Sequence, residues 1–310
     1  MCETHWQKYN CFLLNNKKIL WVYFKLRVFR VVYAIKKKLI WDKCFNTIHH
    51  KKKNSDIVFD EKTVPAIISH LKKNNINVKE YTIDIDGYRQ FVRDAQYTRF
   101  ILYQKRGASK TFAEKSLEHY VAARLLELSS DDIYIDIANS CSPTPEIYNA
   151  LYGATAYRQD LLYPEGMQGN IIGGDAGKMP LPDGFASKMA MHCAFEHFEG
   201  DADIRFIREA GRVLRSKGKL CIVPLYMFTD FAIKTNPVML SGKVSFDEDS
   251  TLYCVKNWFE RHGRFYDVPH LISRVMNNMG GLNLTVYSIK NAREADPSCY
   301  LRFAAVFEKK

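Results

Sequence analysis

Among the eight cysteines of this 310-residue chain there is no C-x-x-C spacing, and the one C-x-x-H, Cys2 to His5, has no second pair to complete a site. That leaves no zinc pattern and no disulfide framework, so reduced thiols in a cytoplasm are the simplest expectation. No group of His, Asp and Glu has metal-ligand spacing, and neither a G-x-S-x-G elbow nor a phosphate-binding P-loop occurs. Long apolar runs are missing too. Ile19–Phe24 and Val31–Ile35 fall far short of the roughly 20 residues that span a bilayer, and Lys25, Arg27 and Arg30 interrupt the stretch. No small-residue cleavage site follows, which argues against a secretory leader.

Beyond residue 53 the chain also lacks net charge. The total is +11, yet 13 of the 45 Lys and Arg and only 2 of the 34 Asp and Glu lie in residues 1–53, leaving 32 of each sign beyond. A main body without a basic excess argues against a nucleic-acid enzyme. Residues 1–53 form a basic extension in which Trp21, Tyr23, Phe24, Phe29, Tyr33 and Trp41 interleave with cations. That mixture suits peripheral attachment at the anionic inner face of a membrane. It also suits packing on the protein's own core or on a partner, or contact with a polyanion such as RNA.

What is present is a regular alternation of elements. "HHKKKNSD", His49 to Asp56, marks a boundary, and residues 54–114 read as a small cap region. There "TVPAIISHLKK" predicts a helix capped at Thr63, "VKEYTIDI" a strand or connector, and "GYRQFVRDAQYTRFILY" a helix. "SLEHYVAARLLEL", Ser116 to Leu128, predicts a further helix with Val121, Leu125 and Leu128 on one stripe. In that helix Glu118 and His119 are either site residues or an ordinary solvated pair. Strand "DIYIDIA", helix "PEIYNALYG" ended by Gly153, strand "ATAYRQDL" and "GNIIGGDA" come next. Then follow "SKMAMHCAF", a helix over "DADIRFIREAGRVLRSKG" capped by Asp201 and ended by Gly218, and strand "KLCIVPLY". This alternation predicts a parallel sheet with helices on both faces. Residues from about 227 to 280 interrupt it as a lid, with Tyr253, Trp258, Arg261, His262, Arg264 and Tyr266 toward substrate. "LNLTVYSIK" and "YLRFAAVFEK" predict an antiparallel pair at one edge.

In "DDIYIDIANSCSPTPEIY", Asp131 to Tyr148, the loop between strand and helix contains no glycine. Where a fold of this kind passes its backbone close to a ligand, glycine is usual because it tolerates φ > 0. Ala138 and Ser140 resist that conformation, so the loop is expected to take a different path.

"GDAGKMPLPDGFASKMAMHCAFEHFEGDADIRFIREAGRVLRSKGKLCIV", Gly174 to Val223, resembles the class I S-adenosylmethionine-dependent methyltransferases. The similar branch is the small-molecule one called methyltransferase type 11. Its acidic–Ala pair, L-P-F-P-like turn, "EH" and "REIxRVLKPGG" helix have counterparts in Asp175–Ala176, "MPLPDG", Glu196–His197 and "IREAGRVLRSKGKL". The resemblance covers roughly residues 115–226. It implies an α/β, Rossmann-like, doubly wound sheet of seven strands, mostly parallel with an antiparallel last strand, over residues 115–310.

The resemblance implies S-adenosylmethionine as cofactor at the carboxyl ends of the strands. Asp136 matches the family's acid at the end of the first strand, and Ala138, Asn139, Ser140, Cys141 and Ser142 replace its glycine-rich loop. Asn139, Ser140 and Ser142 suit the cofactor's amino-acid tail, Asp160 its ribose, and Asp175 with Ala176 its adenine. The cofactor has no pyrophosphate, so a ring of glycine amides is not required. An acceptor hydroxyl needs a base, and His192, Glu196 and His197 are the candidates. The implied activity is methyl transfer to a small molecule or a sugar, including a lipid-linked glycan in polysaccharide biosynthesis. The rival is a catalytically inactive scaffold of the same fold; an NAD-linked enzyme is disfavoured by the Gly174–Val223 block.

Overall fold

The computed structural model describes residues 40–100, 111–140, 142–240 and 244–310. Its centre is a nine-stranded sheet. In chain order the strands are β2 (Asn77–Tyr81), β3 (Ile133–Ile137), β4 (Thr155–Asp160), β5 (Gly166–Gln168), β6 (Ile171–Gly173), β7 (Ala186–His192), β8 (Leu214–Val223), β12 (Leu282–Ile289) and β13 (Phe303–Lys309). In space they run β2-β12-β13-β8-β7-β3-β4-β6-β5. Strands β6, β4, β3, β7 and β8 are mutually parallel, and β13 is antiparallel to both β8 and β12.

Alternate residues of the central strands feed two cores, as a two-residue period requires. Ile135, Met189, Met191 and Ile222 lie on one face with Phe206, Ile207 and Ala210 of α5 (Ala202–Val213). Tyr134, Ala190, Cys221 and Val223 lie on the other, under α2 (Ile85–Ala95), α3 (Phe112–Leu126) and α4 (Thr144–Tyr152). Strands buried on both faces carry the near-continuous apolar runs seen in "IYIDI" and "LCIV". The α/β, mostly parallel architecture expected from the alternation is therefore present, with β2 and β5 added at the two edges.

Several local expectations shift. The terminal strands do pair antiparallel, Leu282 opposite Lys309, but β2 lies parallel outside β12, so the pair is not at the edge. The helix expected through Gly218 stops at Val213, and Leu214 already pairs with Ala186 in β8. Strand pairing of the apolar run outcompeted the helical pattern of its last turn. Asp201 precedes α5 without capping it and ion-pairs with Arg205 instead. For α1 (Thr63–Lys73), Asp60 rather than Thr63 takes the free amides, accepting from the Lys62 and Thr63 N–H groups at 3.0 and 2.8 Å. Gly153 ends α4 in the left-handed conformation, φ +75°, as expected.

The interruption after Tyr226 folds mainly into a second sheet. It holds β1 (Lys52–Lys53), β9 (Ala232–Thr235), β10 (Thr251–Cys254) and β11 (Gly263–Phe265) in the order β1-β10-β9-β11. The end of the basic extension belongs to it. Trp41, only 2% exposed, packs with Ile233, Leu252 and Cys254, and Lys52 and Lys53 pair with Leu252 and Tyr253. For residues 40–53, then, packing on the protein itself is what the structure shows. The expectations for residues 1–39, membrane attachment included, lie outside the described residues, as does Cys141. Among the described residues no helix is long and apolar enough to cross a membrane.

Candidate active site

Asp136 is the penultimate residue of β3 and is buried. The loop after it does adopt left-handed backbone without glycine: φ is +52° at Ala138 and +44° at Ser140. The expected different path is thus corrected. Each such residue costs about 1–2 kcal/mol, and the end of β4 supplies the opposing interactions. Gln159 accepts from the Ala138 N–H through Oε1 at 3.2 Å and from the Asn139 N–H through its carbonyl at 2.9 Å. Asp160 Oδ2 accepts from the Ser140 N–H at 2.7 Å. The Asn139 amide nitrogen donates to Asp136 Oδ2 at 2.5 Å and to the Ser142 carbonyl at 3.0 Å. A hydrogen-bonded frame does here what glycine's freedom does elsewhere.

Asp136, Ala138, Asn139, Ser140, Ser142 and Asp160 are thereby brought into one network. Asp160 is buried and also accepts from the Leu162 N–H at 2.9 Å. Burial raises its pKa against the lowering effect of those two amides. Gln159 Nε2 donates to the Gly174 carbonyl at 2.6 Å, tying the network to the turn of Asp175 and Ala176. Asp175 is half exposed, caps that turn through the Gly177 N–H and pairs with Arg205 at 3.1 Å; Ala176 is buried.

These residues fit S-adenosylmethionine on two counts. The backbone is left-handed at Ala138 and Ser140, two of the three positions where the family has glycine. The acids also keep acceptor capacity, since a carboxylate takes about four donors. Asp136 takes three, from Tyr134 Oη, His192 Nδ1 and Asn139 Nδ2, and Asp160 takes two.

Of the three candidate bases, His192 points inward. Its Nδ1–H donates to Asp136 Oδ1 at 2.9 Å and its ring meets the edge of His119, centroids 4.9 Å apart. Its Nε2 lies 3.4 Å from Tyr148 Oη, a weak contact because the tyrosine proton goes to the His119 carbonyl at 2.6 Å. Glu118 and His119 are not a solvated pair. Both are buried, because the sheet, α2 and the C-terminal segment cover this part of α3. Burial pushes the Glu118 carboxyl up to about 8, although Lys115 Nζ sits 3.0 Å from both of its oxygens. Burial, with the nearby His192 and Lys115, holds His119 well below its usual range.

Glu196 and His197 open onto a cavity of about 530 Å³ at the carboxyl ends of β7 and β8, between the main sheet and the second one. Cys193, Tyr226, Tyr300 and Arg302 also line it. Glu196 is 5% exposed; its Oε1 accepts from Cys193 Sγ at 3.1 Å and its Oε2 has no hydrogen-bond partner. Burial, with Glu196 beside it, pushes the Cys193 thiol well above its usual range, so it remains a neutral donor. His197 donates from Nδ1 to the His262 carbonyl at 2.6 Å, stacks on Trp258 and brings Nε2 to 3.6 Å from Glu196 Oε1.

Of the expected lid residues, Trp258 lines the cavity, whereas Tyr253, His262, Arg264 and Tyr266 are buried and Arg261 pairs with Glu199 at 2.6 Å. Burial, with Arg264 and His197 adding to it, depresses His262 to about 3. No motif in the sequence singles out Cys193, Tyr226 or Arg302. The signal for Arg302 is a lone cation opening an apolar terminal strand. Among the described residues no group of His, Cys, Asp and Glu can hold a metal ion.

Residues 152–222 match the family model described as a methyltransferase domain. With the strand order above, this defines the class: a class I, Rossmann-like methyltransferase fold, whose methyl donor is S-adenosylmethionine. Within that class the matching model is the type 11 branch to which Gly174–Val223 is similar. Among solved structures the chain is similar to 1,6-didemethyltoxoflavin-N1-methyltransferase of Burkholderia thailandensis, solved with 1,6-didemethyltoxoflavin and S-adenosylhomocysteine. The identity is 9% and the TM-score 0.46, over 76% of this chain and 94% of that one. It is also similar to an S-adenosylmethionine-dependent methyltransferase of Aquifex aeolicus at 10% identity and TM-score 0.40, over 69% and 97% of the two chains. No curated protein matches the sequence.

Proposed function

We propose that this protein methylates a hydroxyl of a small-molecule acceptor bound in the 530 Å³ cavity, with sugars the first class to test. The observation that carries this reading is Glu196, a buried carboxylate on the cavity wall with one oxygen unpartnered. When bound, S-adenosylmethionine would supply the methyl group of its sulfonium, the sulfur departing as the neutral thioether of S-adenosylhomocysteine. Asp136, Asn139, Ser140, Ser142 and Asp160 would hold it, with Asp175 and Ala176 at the adenine side. Methyl transfer needs alignment above all. His192 acts on it as a positioning residue, fixing Asp136. Glu196 Oε2 takes the acceptor's hydroxyl proton, while the Cys193 thiol holds Oε1 in place.

A second reading has its own observation. Asp136, Asn139 and Asp160 are buried and already hydrogen-bonded to each other or to the loop, which is what a scaffold that binds no cofactor would show. Calorimetry with S-adenosylmethionine and S-adenosylhomocysteine separates the two. The full chain is required, because residues 40–53 build part of the second sheet. Asp136→Asn is expected to weaken cofactor binding by about ten- to a hundredfold, the loss of a charged hydrogen-bond acceptor. A folded wild-type protein that binds neither compound establishes the scaffold.

The basic, aromatic residues 1–39 we assign to an anionic bilayer surface, where lipid-linked glycans are acceptors within reach. Co-sedimentation with phosphatidylserine vesicles checks this. Removal of residues 1–39 is expected to abolish pelleting, and equal pelleting of both forms defeats the assignment.

A further inference from the structure

Arg302 lies just before β13, at the end of the main sheet where the cavity opens, and it lines that cavity. Its guanidinium stacks on Phe59, the central carbon 4.1 Å from the ring centroid, and Nη1 donates to the Tyr300 carbonyl at 2.9 Å. Stacking and one carbonyl fix the plane of the group and leave most of its five donors uncommitted. It makes no ion pair with any carboxylate of the described residues. The other cation of the cavity is different: Lys234 is bound to Asp56 at 2.7 Å.

An arginine held in a half-buried wall without an anion is costly unless its partner arrives with a ligand. Burial, with Arg293 nearby, pulls the Arg302 pKa below its ordinary value. An ordinary structural arginine of this chain shows the contrast. Arg264 is buried and surrounded by Asp203 and Asp247. Aromatic walls at Tyr226, Trp258 and Phe265 complete a site with one buried base and one oriented, unpaired cation.

Resting on the methyl-transfer reading above, we propose that the acceptor carries an oxyanion group, a carboxylate or a phosphate, that Arg302 binds while Glu196 addresses its hydroxyl. The planar fork of an arginine matches both anions in bidentate geometry. A neutral sugar lacks the group that this wall is built to pair.

The test uses the full chain and three probes followed by tryptophan fluorescence and calorimetry: glucose, glucuronate and glucose 6-phosphate. One or both anionic probes are expected to bind at least about tenfold tighter than glucose, with an advantage that falls as salt is raised. Which of the two binds tells carboxylate from phosphate. Arg302→Gln is expected to bring the anionic probe to the affinity of glucose, and Arg302→Lys to keep part of the preference. Equal binding of all three probes by the wild-type protein overturns the proposal without recourse to any variant. So does a preference that survives Arg302→Gln in a folded protein. S-adenosylmethionine binding is measured on the same samples. Its absence alongside a retained anion preference defeats methyl transfer and spares the anion site; its presence without the preference does the reverse.

Discussion

Replacing Arg264 with Met is expected to destabilise the protein by about 3–5 kcal/mol, the cost of breaking a buried ion pair from one side. Arg264 is fully buried on β11, and every arm of it is used. Nε donates to Asp247 Oδ2 at 2.9 Å, Nη1 to the Phe198 carbonyl at 2.7 Å and Nη2 to the Gly200 carbonyl at 3.0 Å. Asp203, at the start of α5, lies 3.2 Å from Nη1, and its carboxylate also accepts from Tyr266 Oη at 2.6 Å and Arg274 Nε at 2.9 Å. The arginine therefore joins the second sheet to α5 and to the loop after the Phe195–His197 turn. With Met in its place, two carbonyls lose donors and Arg274 alone must balance Asp203 and Asp247. Denaturant unfolding measures the change. Arg261→Met is the control, since its pair with Glu199 is partly exposed and is worth about 0–1 kcal/mol. Similar losses in both variants would contradict the assignment. The network also sets a pH dependence. Burial acts to raise Asp203, but Arg274 and Arg264 prevail and its folded pKa lies below the usual 3.8. Its contribution is present above that value and is lost as pH falls through the folded pKa.

Glu196→Gln is expected to lower turnover by about 10²–10⁴-fold, the range for removing a general base, with S-adenosylmethionine affinity unchanged. Gln keeps the shape and the Oε1 acceptor for Cys193 but cannot take a proton. His192→Gln is expected to behave differently. His192 touches Asp136 and does not line the cavity, so its loss should raise the KM for S-adenosylmethionine more than it lowers kcat. Turnover by each methyltransferase variant is read with the acceptor that the anionic probe set identifies. Unaltered turnover in Glu196→Gln removes it as base; a kcat loss confined to His192→Gln would return that role to the histidine.

The class of fold was legible because it follows from local pattern. Apolar runs such as "IYIDI" and "KLCIV", spaced by helical segments, admit little besides a parallel sheet, and Asp136, Asp160 and Asp175 stand at or next to strand ends by count alone. The terminal antiparallel pair was legible in the same way. Its position was not: β2, about 200 residues earlier, covers β12, and nothing local in "NVKEY" states which edge it will join. The backbone of the loop was misjudged for a related reason. Ala138 and Ser140 disfavour φ > 0 intrinsically, and only the donors and acceptors of Gln159 and Asp160, brought across from β4, hold them there. Side-chain direction divided the histidines and the acids. His192, Glu196 and His197 sit within six residues, yet the pleat turns His192 inward to Asp136 while the turn after β7 points the other two into the cavity. By itself, then, the sequence determined the sheet and its helices, since these depend on residue periods. Which carboxylate faces the cavity, which arginine is paired and which is not, and how a loop without glycine keeps its path were decided only by tertiary structure. Each depends on partners that are distant in the chain and adjacent in space.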